Sequence, residues 1–220
     1  MKGRIALVDY GAGNLASVRK ALCAVRADVY TPARPADLRD AAAIVVPGVG
    51  HFAATASLDA RWREAMTAAI DVGRPLLGIC LGMQWLFEGS AEAPELTGLG
   101  VFKGTCTLLT PVRPADQKVA QGLSPVSHPR IKVPHVGWNS IDVIRPSRLF
   151  AGVATGAQAY FTHSYAAPVT EDTTATTEHG ARFASAAGRG AVTGVQFHPE
   201  KSGDTGLAIL SAFMRLVQEA

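Results

Sequence analysis

Residues 75–84 read PLLGICLGMQ, a segment in which an apolar run ends at Cys80 and a helix-like stretch follows. Gly78 and Gly82 lie two residues before and after the cysteine, where they allow a sharp change from strand to helix without Cβ clashes. This pattern predicts a nucleophile elbow with sulfur in place of the usual hydroxyl. The sulfur would lie at a helix N-terminus, where free N–H groups and the dipole favour a thiolate. The alternative is a small packing cysteine, which would need neither glycine.

A candidate base for this sulfur lies near the end of the chain, where residues 195–200 read VQFHPE. Side chains two residues apart in an extended segment point the same way, so His198 and Glu200 would share a face. A carboxylate can orient the histidine ring while the ring takes a proton from sulfur. A surface histidine beside an acid is common, so this motif indicates catalysis only in combination with Cys80.

A third segment, PGVG at residues 47–50, follows the strand-like run AIVV at residues 43–46. Two glycines after a buried strand let backbone N–H groups approach a ligand closely. Acyl transfer needs such donors for the developing oxyanion, and the loss of one typically costs roughly 2.7–4 kcal/mol. An ordinary glycine-rich turn is the alternative interpretation of the segment taken alone.

The order of the predicted elements indicates an α/β fold. Strand-like and helix-like segments alternate in the first half, which predicts a mostly parallel central sheet flanked by helices. The continuous apolar runs at residues 44–46 and 76–79 fit buried central strands. From about residue 98 short strands and turns predict an antiparallel, β-rich portion. We expect residues 1–220 to form a single domain.

Composition excludes several classes of function. The net charge of +3 is mild and no Lys/Arg cluster appears, which argues against a nucleic-acid partner. Three widely spaced cysteines, without zinc-type Cys/His spacing, indicate a reducing compartment and no metal site. No apolar stretch approaches the length of a membrane span, so we expect a cytoplasmic protein without membrane association.

Residues 11–16, GAGNLA, satisfy the dinucleotide pattern G-x-G-x-x-G/A between a strand and a helix. The second predicted strand ends near Tyr30, Thr31 and Pro32, without an acid placed to bind a ribose hydroxyl. A dinucleotide would also leave Cys80 and its candidate base unexplained. We therefore expect no cofactor.

Together these segments resemble the class I glutamine amidotransferases, and the resemblance extends from residue 5 to residue 217. The elbow at residues 78–84 and the HPE motif at 198–200 match the family. Further segments resemble the glutaminase subunits of imidazole glycerol phosphate synthase. They are DYGAGNL at 9–15, PHVGWN at 134–139, HSY at 163–165 and FHPEKS at 197–202. PHVGWN is the most specific of these segments, and the elbow is the least.

The resemblance implies a glutaminase mechanism. Cys80 attacks the side-chain amide carbon of glutamine, His198 moves the proton and Glu200 orients and charges the imidazole. The implied oxyanion donors are the N–H of Leu81 and a backbone N–H around Val49 and Gly50. The implied glutamine-binding residues are Gly50, Gln84, Ser164 and Tyr165.

The resemblance also implies a protein partner, the cyclase or synthase subunit, which would form a heterodimer with this chain and receive the ammonia. The implied partner-interface residues are Asn14, Pro134, His135, Trp138, Asn139 and Lys201. Without the resemblance, His135 and Trp138 could be turn and core residues and Lys201 a plain surface charge. We expect the isolated chain to turn glutamine over slowly, and the partner to raise kcat more than it lowers KM.

Two alternatives remain open at this point. The chain could be the glutaminase subunit of another ammonia-using synthase, such as one for anthranilate or a purine precursor. It could also be a non-catalytic interaction subunit of the same fold, although the intact set of Cys80, His198 and Glu200 argues against this. The polar, proline-bearing segment at residues 111–129 is interpreted as a surface loop, longer than most relatives carry there.

Overall fold

The computed structural model describes residues 3–110 and 131–220 of the chain. The predicted loop at residues 111–129 lies outside the described residues. The helices are α1 (Leu15–Ala24), α2 (Ala60–Asp71), α3 (Leu81–Leu86) and α4 (Gly203–Glu219). The strands are β1 (Ile5–Leu7), β2 (Val29–Tyr30), β3 (Ala43–Val46), β4 (Leu76–Ile79), β5 (Gly89–Ser90), β6 (Thr105–Leu108), β7 (His135–Val143), β8 (Ala157–His163), β9 (Tyr165–Ala166), β10 (Thr173–His179), β11 (Ala181–Arg189) and β12 (Val192–Val195).

Within the described part of the chain, nine strands form one sheet in the order β2-β1-β3-β4-β12-β11-β10-β7-β8. The pairs from β2 to β12 are parallel, and those from β12 to β8 are antiparallel. A smaller sheet contains β5, β6 and β9. The predicted fold class is therefore confirmed, with the parallel half encoded mainly at the start of the chain and the antiparallel half later.

The parallel strands are buried because helices cover both faces of the sheet. On one face α1 packs through Leu22 and α4 through Phe213. On the other face α2 packs through Met66 and α3 through Leu81. Each large side chain buried in this way contributes about 1.5–3 kcal/mol relative to exposure. The two helix layers explain why β3 and β4 are apolar along their whole length.

The position of the candidate site follows from the pairing of β4 with β12. Val195 pairs with Ile79 in parallel register, and the Cys80 N–H donates to the Val195 carbonyl at 2.8 Å. The residues that follow these two strands therefore emerge side by side at the carboxyl edge of the sheet, where α/β proteins bind their ligands. None of the helices in the described ranges is long and apolar enough to cross a membrane.

Candidate active site

The turn between β4 and α3 is made by Cys80 itself. Its φ of 53° and ψ of −108° are strained for a residue with a side chain, and α3 begins at the next residue. The flanking glycines serve close packing instead of unusual torsion angles, because a Cβ on Gly82 would overlap the Val46 carbonyl oxygen and one on Gly78 would crowd the Gly82 carbonyl. The predicted elbow is present, with the sulfur at its apex.

Hydrogen bonds to both the backbone and the ring of His198 fix the position of its imidazole. Its N–H donates to the Tyr160 carbonyl at 2.9 Å, and its carbonyl accepts from the Ser202 hydroxyl at 2.6 Å. Its Nδ1 lies 2.8 Å from Glu200 Oε1, and the two side chains are only 1% and 2% exposed. Because the carboxylate accepts a hydrogen bond from Nδ1–H, Nε2 is the ring nitrogen left for chemistry.

The electrostatics of the site favour an imidazolium. Burial opposes the charge on His198, but the Cys80 sulfur and the Glu200 carboxylate outweigh this and raise its pKa to about 10. Among the described residues His198 Nε2 has no hydrogen-bond partner. The sulfur instead contacts Gln196 Nε2 at 3.6 Å and the Thr162 carbonyl at 3.9 Å. The Cys80 sulfur nevertheless lies close enough to the imidazole to raise its pKa.

Cys80 opens into a cavity of about 270 Å³. That volume is just below the roughly 300–1,000 Å³ of typical ligand sites, which suits a single small molecule. Its lining residues are Gly50, Cys80, Leu81, Gln84, Glu92, Pro134, Thr162, His163, Ser164 and Tyr165. A larger cavity of about 400 Å³ lies at the opposite end of the sheet, but neither cysteine nor histidine lines it. The smaller cavity therefore has the reactive groups.

The predicted glutamine-binding residues all line the cavity. Gln84 Nε2 donates to the Tyr165 carbonyl at 2.8 Å and to Gln196 Oε1 at 3.1 Å. Both amide protons are used in this way, so Gln84 can offer a ligand only its acceptor, Oε1. Gly50 lies at the cavity mouth with a φ of 95°, and Val49 precedes it without lining the cavity.

A class-I glutamine amidotransferase family model matches residues 6–216. This chain belongs to the class-I glutamine amidotransferase family. The match includes the strained cysteine, the His198–Glu200 pair and every residue that lines the smaller cavity.

Curated relatives of this amidotransferase match it over almost its whole length. Imidazole glycerol phosphate synthase subunit HisH of Pyrococcus furiosus is 42% identical over 216 residues, which cover 97% of this chain and 99% of the relative. The protein of the same name from Thermococcus kodakarensis is 44% identical over 219 residues, which cover 96% of this chain and 100% of the relative.

Solved structures share the fold of this amidotransferase at low sequence identity. PurLQS from Thermotoga maritima matches with a TM-score of 0.70 at 16% identity, covering 98% of this chain and 99% of that one. The glutaminase domain of Trypanosoma brucei CTPS matches with a TM-score of 0.64 at 17% identity, covering 98% and 94%. These likenesses concern the fold alone.

Sequence reasoning missed several residues of the amidotransferase site, among them Thr162, Glu92 and Gln196. Glu92 lines the cavity, and its carboxylate accepts from the Phe52 N–H at 2.7 Å. It belongs to no motif, so the sequence carried no signal for it. Gln196 lies against Cys80 and could have been found, because it is two residues before His198 in the same extended run.

The predicted partner-interface residues lie at different depths. Trp138 is 56% exposed and packs edge-on against Tyr160, with ring centroids 6.0 Å apart. Lys201 Nζ lies 5.7 Å from the centre of the same ring, so exposed Trp138 and Lys201 form one surface cluster with half-buried Tyr160. Asn14 is exposed and caps α1, which packs against the segment Pro199–Lys201.

The remaining predicted interface residues, Pro134, His135 and Asn139, are not part of that cluster. Pro134 is exposed and also lines the cavity. His135 is only 3% exposed, so its side chain lies beneath the surface, where its Nε2 accepts from Asn139 Nδ2 at 3.2 Å. A role for His135 in partner binding would therefore be indirect. Within residues 3–110 and 131–220, no group of three or more His, Cys, Asp or Glu side chains could hold a metal ion.

Proposed function

We propose that this chain is the glutaminase subunit of imidazole glycerol phosphate synthase. It hydrolyses glutamine to glutamate and ammonia and delivers the ammonia to the synthase subunit, which builds the imidazole ring in histidine biosynthesis. The observation that carries the proposal is the buried His198–Glu200 pair beside Cys80, which opens into a small cavity. The names of the relatives, at 42% and 44% identity, support the choice of synthase.

The cavity residues give glutamine a defined orientation. Its amide carbon must come within about 3–3.5 Å of the Cys80 sulfur for attack. Gln84 Oε1 accepts a substrate N–H, because both protons of its own amide are already used. Glu92 is the carboxylate of the cavity and pairs with the α-ammonium group. Ser164 and Tyr165 form the opposite wall.

The first chemical step is attack by the Cys80 thiolate on the amide carbon, which places a negative charge on the amide oxygen. The N–H of Leu81 is one donor to that oxygen, since the first residue of a helix has no intrahelical acceptor. The second donor is a backbone N–H around Val49 and Gly50. Each such donor typically stabilises the transition state by about 2.7–4 kcal/mol.

The tetrahedral intermediate then collapses with proton transfer from His198. Nε2 protonates the departing nitrogen, the C–N bond breaks, and ammonia leaves a thioester on Cys80. The now neutral imidazole takes a proton from water, the resulting hydroxide attacks the thioester, and the sulfur leaves as a thiolate with release of glutamate. Glu200 keeps Nδ1 protonated throughout. The reaction needs no cofactor, because sulfur, imidazole and carboxylate supply every step.

The proposed partner is the cyclase subunit of the same synthase, bound as a heterodimer. The surface cluster of Trp138, Tyr160 and Lys201, with Asn14 nearby, is proposed to receive it. Lys201 directly follows the buried Glu200, so partner contact at this cluster can act on the site. We propose a cytoplasmic location for this heterodimer, because a thiol nucleophile stays reduced there.

The proposal is tested by reconstitution with the cyclase subunit of imidazole glycerol phosphate synthase. We expect glutamine-dependent ring formation, a covalent glutamyl adduct on the Cys80 peptide by mass spectrometry, and loss of both in Cys80→Ala. The partner should raise kcat more than it lowers KM. Ammonia release that persists in Cys80→Ala would contradict the chemistry. An adduct that forms without any response to the cyclase subunit would contradict the choice of synthase.

A further inference from the structure

Gln196 is a fully buried polar side chain between the nucleophile and a substrate-binding amide. It follows β12 by one residue, as Cys80 follows β4, and the parallel register of the two strands places them side by side. Its exposure is 0%. Its Nε2 lies 3.6 Å from the Cys80 sulfur, and its Oε1 accepts from Gln84 Nε2 at 3.1 Å.

The orientation of this amide is set by its neighbours. The Tyr165 carbonyl can only accept, so Gln84 must present its NH₂ group there. The second proton of that NH₂ group then points at Gln196, which must accept the hydrogen bond with Oε1. The Gln196 NH₂ group is thereby turned toward the sulfur. A flipped amide would set two donors against each other, and the backbone is fixed by the Gln196 N–H bond to the Ser185 carbonyl at 2.9 Å.

An N–H donor at the sulfur favours the thiolate, because hydrogen bonds stabilise the charged form of an acceptor. The Thr162 carbonyl has the opposite effect, because it can accept a hydrogen bond only from the neutral thiol. The titratable groups around the sulfur are Tyr10 after β1, Glu92 and His163 at the cavity wall, and His198 with Glu200 after β12. Gln196 is the side-chain amide that contacts the sulfur within the described part of the chain.

We propose that Gln196 is a positioning residue of the glutaminase reaction, acting on nucleophile and substrate together. Its NH₂ group stabilises the attacking sulfur, and its carbonyl holds Gln84 with Oε1 toward the substrate. The inference rests on the proposed function of this site and extends it by one residue. One side chain, Gln196, thus contacts both the sulfur that attacks glutamine and the amide that orients it.

The test compares Gln196→Met with Gln84→Met in the reconstituted complex. Both variants remove the bond between the two amides, but only Gln196→Met removes the donor to sulfur. We expect KM for glutamine to rise in both variants and kcat to fall about tenfold or more in Gln196→Met, the usual effect of losing a hydrogen bond to a charged group. Gln158→Met, at an exposed position of β8, is the control for the substitution itself.

Alkylation by iodoacetamide without glutamine separates the two roles. The alkylation rate, quantified at the Cys80 peptide, should fall about tenfold at pH 7 in Gln196→Met. Its pH profile should also move to higher pH. Gln84→Met should alkylate at nearly the wild-type rate. Exposed Cys23 is the internal control and should react alike in every variant. If Gln196→Met does not fold, Gln196→Glu at pH 8 replaces it, since it keeps an acceptor for Gln84 and removes the amide donor.

The outcomes distinguish this inference from the proposed function. A wild-type complex that hydrolyses glutamine, together with a folded Gln196→Met whose Cys80 alkylates at the wild-type rate, overturns the role of Gln196 and leaves the glutaminase intact. A wild-type complex without glutaminase activity overturns the proposed function, whatever the alkylation rates show.

Discussion

The buried imidazole of His198 has a raised pKa because its interactions with Cys80 and Glu200 outweigh the cost of desolvation. Glu200 binds Nδ1 of His198 at 2.8 Å, and with the Cys80 sulfur it raises the pKa of His198 to about 10. The folded-state pKa is thus above the usual value of about 6.5, so the charged form is present at neutral pH and is lost as the pH rises through about 10. A reaction that needs the imidazolium to protonate ammonia should therefore keep its rate into the alkaline range.

We predict that Glu200→Gln lowers kcat/KM of the glutaminase by about 10²–10⁴-fold, the usual contribution of a positioned acid or base. The neutral amide removes the carboxylate charge that helps to raise the pKa of His198, so the alkaline limb of the pH profile should move to lower pH. The measurement is ammonia release against pH in the reconstituted complex. A variant whose alkaline limb stays at the wild-type position would show that Glu200 does not set this charge.

At the residue scale, the residues that could be predicted from the sequence are those that belong to short, recognisable motifs. The segments around Cys80 and His198 predicted an elbow and a base, and the structure brings their side chains to one edge of the sheet. Glu92 was not predicted, because an isolated glutamate has many surface roles and only the fold turns this one toward the cavity. Gln196 was overlooked, although its place two residues before His198 in one extended run was a usable signal.

At the element scale, the site depends on how closely α3 approaches β3. A Cβ on Gly82 would overlap the Val46 carbonyl oxygen, so the first turn of α3 can lie against the strand only when this residue is glycine. We predict that Gly82→Ala lowers the free energy of unfolding by about 1–3 kcal/mol through overpacking. Because the displaced turn carries Leu81 and Cys80, glutaminase kcat should fall further than the loss of stability accounts for.

The matched control is Gly188→Ala in β11, where an added Cβ meets only ordinary van der Waals contacts and the backbone angle is not left-handed. That change should be neutral or raise stability by about 0.4–1 kcal/mol, since alanine restricts the unfolded chain. Urea unfolding and kcat are measured for both variants. Equal stability and equal kcat for Gly82→Ala and the wild type would rule out the close approach as a requirement of the elbow.

The strands and helices near the elbow were predictable because their signals are local, whereas the pairing of β4 with β12 was not. The apolar run of β4 and the run at residues 192–197 each predicted a strand. Which of the later strands would continue the parallel sheet depends on packing between segments far apart in the chain. That pairing is what sets Gln196 beside Cys80.

At the scale of the whole molecule, a directional hydrogen-bond chain joins the surface segment at residues 134–139 to the cavity. Asn139 donates to His135, and His135 Nδ1 donates to His163 Nε2 at 3.2 Å. His163 Nδ1 then donates to the Tyr165 carbonyl at 2.9 Å, the same oxygen that accepts from Gln84. This order of donors requires both histidines to be neutral, since each must accept a hydrogen bond at its unprotonated Nε2.

Acid should therefore destabilise the fold. Burial, with a smaller electrostatic contribution from the neighbouring His179, lowers the pKa of His135 to about 4. Burial lowers that of His163 to about 3, although the Tyr165 carbonyl favours its charged form. Because these folded-state values lie below the unfolded value of about 6.5, the unfolded chain binds more protons as the pH falls below 6.5, and stability is lost. At pH 5 the loss is about 2 kcal/mol for His163 alone.

Thermal unfolding should show the His163 part of this loss as about 4–8 °C of the fall in Tm between pH 7 and pH 5, to which His135 adds. His163→Gln should flatten that dependence, because it removes one of the groups that take up a proton on unfolding. His51→Asn is the control, since His51 is exposed and asparagine keeps an acceptor for the Ala53 N–H. It should retain the wild-type difference between the two pH values. An equal fall in Tm for the wild type and His163→Gln would mean that the neutral histidine chain does not couple protonation to folding.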